Sequence, residues 1–463
     1  MRLRGDLGQD KITGLLLTLS LPAMIGMTVQ ALYNVVDIFW VGKIGAGEGI
    51  AALTIVFPIF IILIAIASGT GIGLTSLISR RLGENKLAEA NNVAEHGFLL
   101  IALYGLLIPL IFLPNIDSLL YIFGAIPEVF QLSKDYIVIV IIGSVFLYFA
   151  VMTGSIIQAE GNSGVPMKSM IVGAVTNMIL DPFLIFGIGP FPELGIKGAA
   201  IATVFAEFLS CYINFRYLFL SRKSDLTISL KSPSFSLAII ADIYKVGFPS
   251  MVMQFINSGI MVVLNKILGG YGYRAIGAMG VYFNVQSLIF MPIMGLTQGL
   301  IPIVGFAYGA KRLDRMKETI KKAAIVAFSV MFVGFLCFQL IPVYVISIFN
   351  NDPDLIEIGV ICMRNITIMM PFVGPAIIMS STFQAVGKGF TAMWLSLLRQ
   401  LILLLPALLI LPNYLGLRGV FLAFPLSDLI SIFITLLVLT NYLRSLDSKG
   451  FPPAKLLSDI KEE

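Results

Sequence analysis

Long apolar runs, each closed by a polar or Gly/Pro-containing break, dominate the chain. Twelve stand out, near 15–41, 50–79, 96–114, 136–158, 166–188, 198–220, 246–269, 275–305, 320–348, 359–386, 390–412 and 419–443. A bilayer core about 30 Å thick takes about 20 mostly apolar residues per helix, so each run is long enough to cross one. Prolines at 22, 58, 182, 249, 292, 302, 371, 406 and 425 fall inside the runs. Each removes a backbone donor, which predicts kinks and hinges. The two-residue alternation of a membrane β-barrel is absent. The pattern predicts an all-α polytopic membrane protein with twelve transmembrane helices.

Composition agrees and removes alternatives. Of 463 residues, 58% are hydrophobic and 12% charged, against about 25% charged in a soluble domain. A water-soluble fold is excluded. The net charge of +5 does not point to nucleic acid, because the positive charge sorts by loop. Numbering loops from the N-terminus, the termini and even-numbered loops hold 23 of the 31 Lys and Arg; the odd-numbered loops hold seven, and Arg399 lies within a span. By the positive-inside rule both termini are expected on the cytoplasmic side of the plasma membrane. The first run contains Pro22 and lacks an A-x-A cleavage pattern, so it reads as a retained helix. Cys211, Cys337 and Cys362 have no CxxC spacing, His96 is the single histidine, and no GxxxxGK[ST] loop occurs. A disulfide framework, thiolate metal site, Ser-His catalysis and nucleotide hydrolysis are all disfavoured. A transporter or channel without cofactor, not an enzyme, is expected.

A shift of about half the length brings punctuation into register. Ser20-Leu21-Pro22 falls on Gly247-Phe248-Pro249, Gly69-x-x-x-Gly73 on Gly295-x-x-x-Gly299, and Leu82-Gly83-Glu84 on Tyr308-Gly309-Ala310. Further on, 157–161 matches 383–387, Gly195-Ile196-Lys197-Gly198 matches Gly416-Leu417-Arg418-Gly419, and Glu207 falls on Asp428. Each half therefore has six helices and enters the membrane from the same side, which makes the halves parallel repeats about an axis along the membrane normal. The expected organisation is an N-terminal lobe over 1–221, a cytoplasmic linker over 222–237, a C-terminal lobe over 238–443 and a tail over 444–463. Two such bundles leave a central cleft suited to alternating access.

Carboxylates well inside the runs number four: Asp37, Asp181, Glu207 and Asp428. A charge at a helix centre costs about 2.5–3.5 kcal/mol on insertion scales, so each is a candidate for function. Met27, Gln30, Asn34 and Asp37 share one helical face, with Tyr33 beside it, and Asn177 and Asp181 are i, i+4 on another helix. Two carboxylates with amide and hydroxyl oxygens can hold a proton or surround Na⁺. Interhelical hydrogen bonding alone is the structural alternative, and it weighs more for Glu207 and Asp428, near span ends. The second half has Leu264 where the first has Asp37, and its polar residues are neutral: Gln254, Asn257, Asn284, Gln286, Gln298 and Gln384. Arg399 is its lone buried cation, serving the cavity, pairing with backbone carbonyls or snorkelling.

The sequence resembles the multidrug and toxic compound extrusion (MATE) family along nearly its whole length. The resemblance rests on SLPAMIGMTVQALYNVVDIFWVG, IIQAEGN, NMILDP, GIKGAAIAT, VGFPS, AYGAKR and GLRGV. Gln254, where the NorM-like branch tends to have an acid, makes it similar to the DinF-like branch with archaeal members. The resemblance implies a two-lobed MATE fold and an antiporter that exports cationic or amphiphilic small molecules in exchange for H⁺ or Na⁺. It implies an N-lobe ion site at Asp37, Asn177, Asp181 and Thr203, with Na⁺ as the metal where one binds. Met27, Gln30, Tyr33, Asn34, Gln158, Gln254, Asn257, Asn284, Gln286 and Arg399 are then candidates for the substrate cavity. The fourth helix departs from the archaeal pattern, with Gly154 where those members tend to have Asn. A monomer in contact with membrane lipids, without nucleic acid, is expected. A flippase for lipid-linked compounds shares the six-plus-six plan and is the alternative, although it would call for a more basic cavity.

Overall fold

The computed structural model describes residues 7, 11–41, 43–44, 48–221, 223–228, 235–349 and 352–451. Twelve long helices account for most of them: α1 (Ile12–Val41), α2 (Glu48–Gly83), α3 (Leu87–Ile122), α4 (Pro127–Ala159), α5 (Gly164–Phe186), α6 (Ile196–Leu220), α7 (Leu237–Gly269), α8 (Tyr273–Gly309), α9 (Leu313–Leu340), α10 (Pro353–Ala385), α11 (Gly389–Leu415) and α12 (Leu417–Lys449). All twelve are long and apolar enough to cross a membrane. They overrun the apolar runs because the flanking segments, such as the polar 127–135, continue as helix. The ninth run, expected to reach 348, is divided instead. α9 stops at Leu340 and a separate short helix, Pro342–Ser347, follows, as expected where Pro342 cannot continue the hydrogen-bond ladder.

Within the first six helices α2 packs on α4, α4 on α6, α5 on α6 and α1 on α5; within the last six α9 packs on α10, α7 on α11 and α12 on α10 and α11. The two bundles meet through α1 against α8, α2 against α7 and α2 against α8. Glycines bring these backbones together. A Cβ on Gly69 would lie 2.9 Å from the Gly247 carbonyl oxygen, and one on Gly73 would lie 2.4 Å from that of Ile243. Their repeat partners behave alike on α1: a Cβ on Gly295 would stand 2.5 Å from Met24 Cα, and one on Gly299 2.9 Å from Ser20 N. In hydrocarbon, close packing and not the hydrophobic effect drives helix association, and small residues make it attainable. The repeat extends to the turns. Gly198 at the start of α6 and Gly419 at the start of α12 each put a would-be Cβ 2.4 Å from a carbonyl oxygen of the preceding helix segment, Leu184 and Leu411. Among the described residues, Asn85 and Lys311, closing the turns after α2 and α8, are the non-glycine ones with positive φ, 61° and 57°.

The connection between the bundles is strapped to the first one. Asn91 Nδ2 donates to Thr227 Oγ1 at 2.7 Å, while Asn91 Oδ1 accepts from Thr227 N–H at 3.1 Å. His96 accepts at Nε2 from Ser236 N–H (2.9 Å), so Nδ1 carries the proton and donates to the Asn92 carbonyl (2.8 Å). Glu160, buried at the end of α4, accepts from Leu226 N–H (3.0 Å) and from the Ser224 hydroxyl, while its Oε2 has no donor.

Burial holds the Glu160 carboxyl up at about 7, against the hydrogen bonds from Ser224 and Leu226 that lower it. An acid raised on docking binds its proton more tightly docked than free. The contribution is therefore complete below the ordinary glutamate range and is lost as pH rises through about 7. Hydrogen exchange of residues 223–228, corrected for intrinsic rates, is expected to show opening that increases several-fold between about pH 5 and 8. Glu160→Gln, which keeps the acceptor oxygen, should flatten that dependence; an unchanged pH profile in the variant would refute the assignment.

Candidate functional site

Helices α1, α4, α5 and α6 converge on a buried polar cluster. Asn177 and Asp181, one turn apart on α5, are 1% and 0% exposed, and Thr203 of α6 is also buried. Asn177 Nδ2 lies 3.1 Å from Thr203 Oγ1. With the amide turned over, Asn177 donates to Asp181 Oδ2 at 2.8 Å and accepts from both the hydroxyl and the N–H of Thr203 at 3.1 Å. That orientation satisfies both ends of the amide and is the better description. Asp37 of α1 comes within hydrogen-bonding reach of Asp181. Asp37 Oδ1 and Asp181 Oδ1 are both buried without a donor. Two carboxylates in contact, with one oxygen of each unsatisfied, need a shared proton or a cation between them. The oxygens of Asp37, Asp181, Asn177 and Thr203 form a hard donor set that suits a proton or an alkali cation, not a soft transition metal.

Tyr33 of α1 and Tyr136 of α4 both come within hydrogen-bonding reach of Thr203. Tyr136 is absent from the sequence-based candidates. It sits nine residues into α4, and nothing in its own surroundings in the sequence signals that α4 lies against α6. Glu207, one turn beyond Thr203 on α6, faces Tyr136 and Tyr148.

Apart from Tyr33, at the ion cluster, the candidate cavity residues separate into three places. On the seam between the bundles, Gln158 Nε2 donates to Gln298 Oε1 (3.0 Å), Gln298 Nε2 lies 3.5 Å from Met27 Sδ, and Gln254 Nε2 donates to Ser68 Oγ (3.0 Å). Gln30 is half-buried on α1. Gln286 and Arg399 lie in the second bundle, in a pocket with Asp428. Asn257 is exposed on α7, and Asn284, also exposed, bonds its own helix at the Gly280 carbonyl (2.9 Å). The side chain of Asn34 lies outside the described residues. Gly154 does not face the cleft: a Cβ there would meet Pro166 and Asn214 at 3.7 Å, inside the first bundle. Arg399 has a carboxylate partner that the sequence does not announce, its Nε donating to Asp428 Oδ1 at 2.6 Å. It is not the lone buried cation of the chain: Arg81, at the end of α2, is 4% exposed and held by Glu84 and Glu89.

The MatE family model matches residues 22–183 and again 249–409, once in each half. The multidrug export protein MepA of Staphylococcus haemolyticus (strain JCSC1435) is 26% identical over 421 residues, covering 90% of this chain and 91% of that protein. MepA of Staphylococcus aureus (strain MSSA476) is 27% identical over 402 residues, 87% of each. Among solved structures, the outward-facing conformation of a multidrug resistance MATE family transporter of the MOP superfamily superposes with a TM-score of 0.90 at 28% identity, over 96% of this chain and 98% of that one. A MATE structure in a bent conformation superposes with a TM-score of 0.91 at 28% identity, over 97% and 99%.

Proposed function

The chain belongs to the MatE family, and we propose that it is a secondary active exporter of cationic or amphiphilic compounds, driven by H⁺ or Na⁺ entering at Asp37, Asn177, Asp181 and Thr203. The observation that carries this reading is the buried Asp37/Asp181 contact, with an unsatisfied Oδ1 on each side chain. A purely structural contact between helices would be served by Asn or Ser without two desolvated acids. The relatives named as multidrug export proteins supply the substrate class.

In this reading both termini are cytoplasmic and the glycine-lined seam closes the cytoplasmic end, since it joins the parts of α1, α2, α7 and α8 nearest the end where α1 begins. Substrate enters from inside when the seam is open and the acids are unloaded. Opening outward admits a proton or Na⁺ to the paired carboxylates, their charge is neutralised, and the changed packing of α1 against α5 favours release. Met27, Gln158 and Gln254 on the seam, and Gln30 of α1, contact substrate along its path. The protein works as a monomer in the plasma membrane.

Efflux of a fluorescent lipophilic cation from proteoliposomes, under a pH gradient and a Na⁺ gradient imposed separately, tests the reading. Export driven by at least one gradient is expected. Export that follows neither, at any membrane potential, would overturn it.

A further inference from the structure

The second bundle contains a pocket that the ion site does not use. Tyr282 and Gln286 of α8, Arg399 of α11 and Asp428 of α12 supply its polar wall, and Phe290, Met370 and Phe424 supply apolar surface. Asp428 is 5% exposed and lies behind the guanidinium, taking its Nε. Among the described residues that carboxylate is the hydrogen-bonding partner of Arg399. Among the described residues the remaining guanidinium donors have no partner, and the side chain is 35% exposed. The hydroxyl of Tyr282, a residue 2% exposed, and the amide of Gln286 also make no hydrogen bond among the described residues. Three unspent donor groups thus line one small space, backed by a carboxylate that fixes the arginine without covering its outer edge. Residues 398–404 of α11 wind as π-helix, a form that recurs at functional sites. The same segment carries Arg399.

An arginine fork with free outer N–H groups matches the two oxygens of a carboxylate or phosphate. We propose that this pocket binds the anionic group of an amphiphile, with Arg399 as the fork, Tyr282 and Gln286 as side donors, and the Phe290, Met370 and Phe424 surface against the apolar body. The proposal rests on the exporter reading for its substrates and adds zwitterions and acids to the cations expected there. The anion can come from a transported solute or from an anionic lipid, and the two leave different signatures.

Rhodamine 123 and rhodamine 110 are a matched pair, the first the methyl ester of the second's carboxylic acid. Their binding to the full-length protein in phosphatidylcholine nanodiscs can be read by fluorescence anisotropy. Arg399→Gln is expected to weaken the acid tenfold or more and the ester less than twofold, with Arg399→Lys in between. Equal loss for both dyes, or none for the acid, overturns the proposal. If Arg399→Gln fails to fold, Tyr282→Phe and Gln286→Leu leave the ion pair intact and should each weaken the acid about threefold with the ester unchanged; no difference in either variant overturns the proposal equally. Added phosphatidylglycerol that competes with the acid identifies a lipid as the occupant, whereas unchanged binding identifies the solute. Efflux of the ester by the wild type stands apart from both: an exported ester with no acid selectivity refutes the pocket alone, and acid selectivity without export of either dye refutes the exporter reading alone.

Discussion

Asp181→Asn is expected to lower ion-driven efflux in proteoliposomes at least tenfold while leaving the purified protein folded. Asp181 is fully buried, contacts Asp37 and accepts from Asn177 in the satisfied orientation of that amide. Asparagine is nearly the same size, so packing against α1 and α6 survives and the thermal midpoint should shift little. The charge that distinguishes the loaded from the unloaded site disappears. A neutral side chain can neither take a proton from one face and return it to the other nor neutralise Na⁺, so the bundle loses its reason to respond to the gradient. Asp37→Asn should act the same way. The double variant should be no worse than either single one, because the two acids act as one site. The check is efflux against a fixed gradient, alongside thermal unfolding and binding of the fluorescent cation. Normal ion-driven efflux by either variant would remove the ion site from these residues.

Some of this arrangement was legible in the sequence because it obeys a single period. Asn177 and Asp181 lie four apart, and their presence together on the buried face of α5 follows from helix geometry alone. The twelve crossings, the glycine pairs and the matched turns rest on the same kind of local regularity. Tyr136 was not legible, since its role depends on α4 packing against α6, a contact between helices with no spacing to announce it. Arg399 and Asp428 lie 29 positions apart on different helices. Each stands alone in the sequence as a charge within a span, and only the fold joins them into a pair. Gly154, which stands where archaeal members tend to have Asn, is turned by the rotation of α4 toward Pro166 and Asn214. The candidate cavity residues divide for a related reason, because polarity within a span identifies residues that avoid lipid and does not say which neighbour they avoid it with. Gln158 and Gln254 turn to the other bundle, Gln286 to the pocket that Arg399 also lines, and Asn284 to its own backbone.

The seam between the bundles carries the second large effect. Gly83 and Gly309, repeat partners at the ends of α2 and α8, cross so closely that a Cβ on Gly83 would lie 2.2 Å from the Phe306 carbonyl oxygen and one on Gly309 2.1 Å from that of Arg80. Both obstacles are backbone, which cannot rotate away as a side chain could. Gly309→Ala must therefore separate α2 from α8, and overpacking of this kind costs about 1–3 kcal/mol. The cost falls only on the state in which the seam is closed. It should shift the equilibrium toward the state open at that end by roughly 5–150-fold, by the relation of about 1.4 kcal/mol to a factor of ten. Spin labels on the exposed ends of α3 and α9, read by double electron–electron resonance, should show the longer inter-bundle distance gaining population in Gly309→Ala and in Gly83→Ala. Gly14, whose Cβ would meet nothing within 4 Å, supplies the control: Gly14→Ala should leave the distribution as it is. Because a seam held open also fails to reset the cycle, steady-state efflux should fall in the two seam variants even though Asp37 and Asp181 are untouched. A Gly309→Ala protein with wild-type distances and wild-type efflux would show that the close crossing of α2 and α8 does not hold the bundles together.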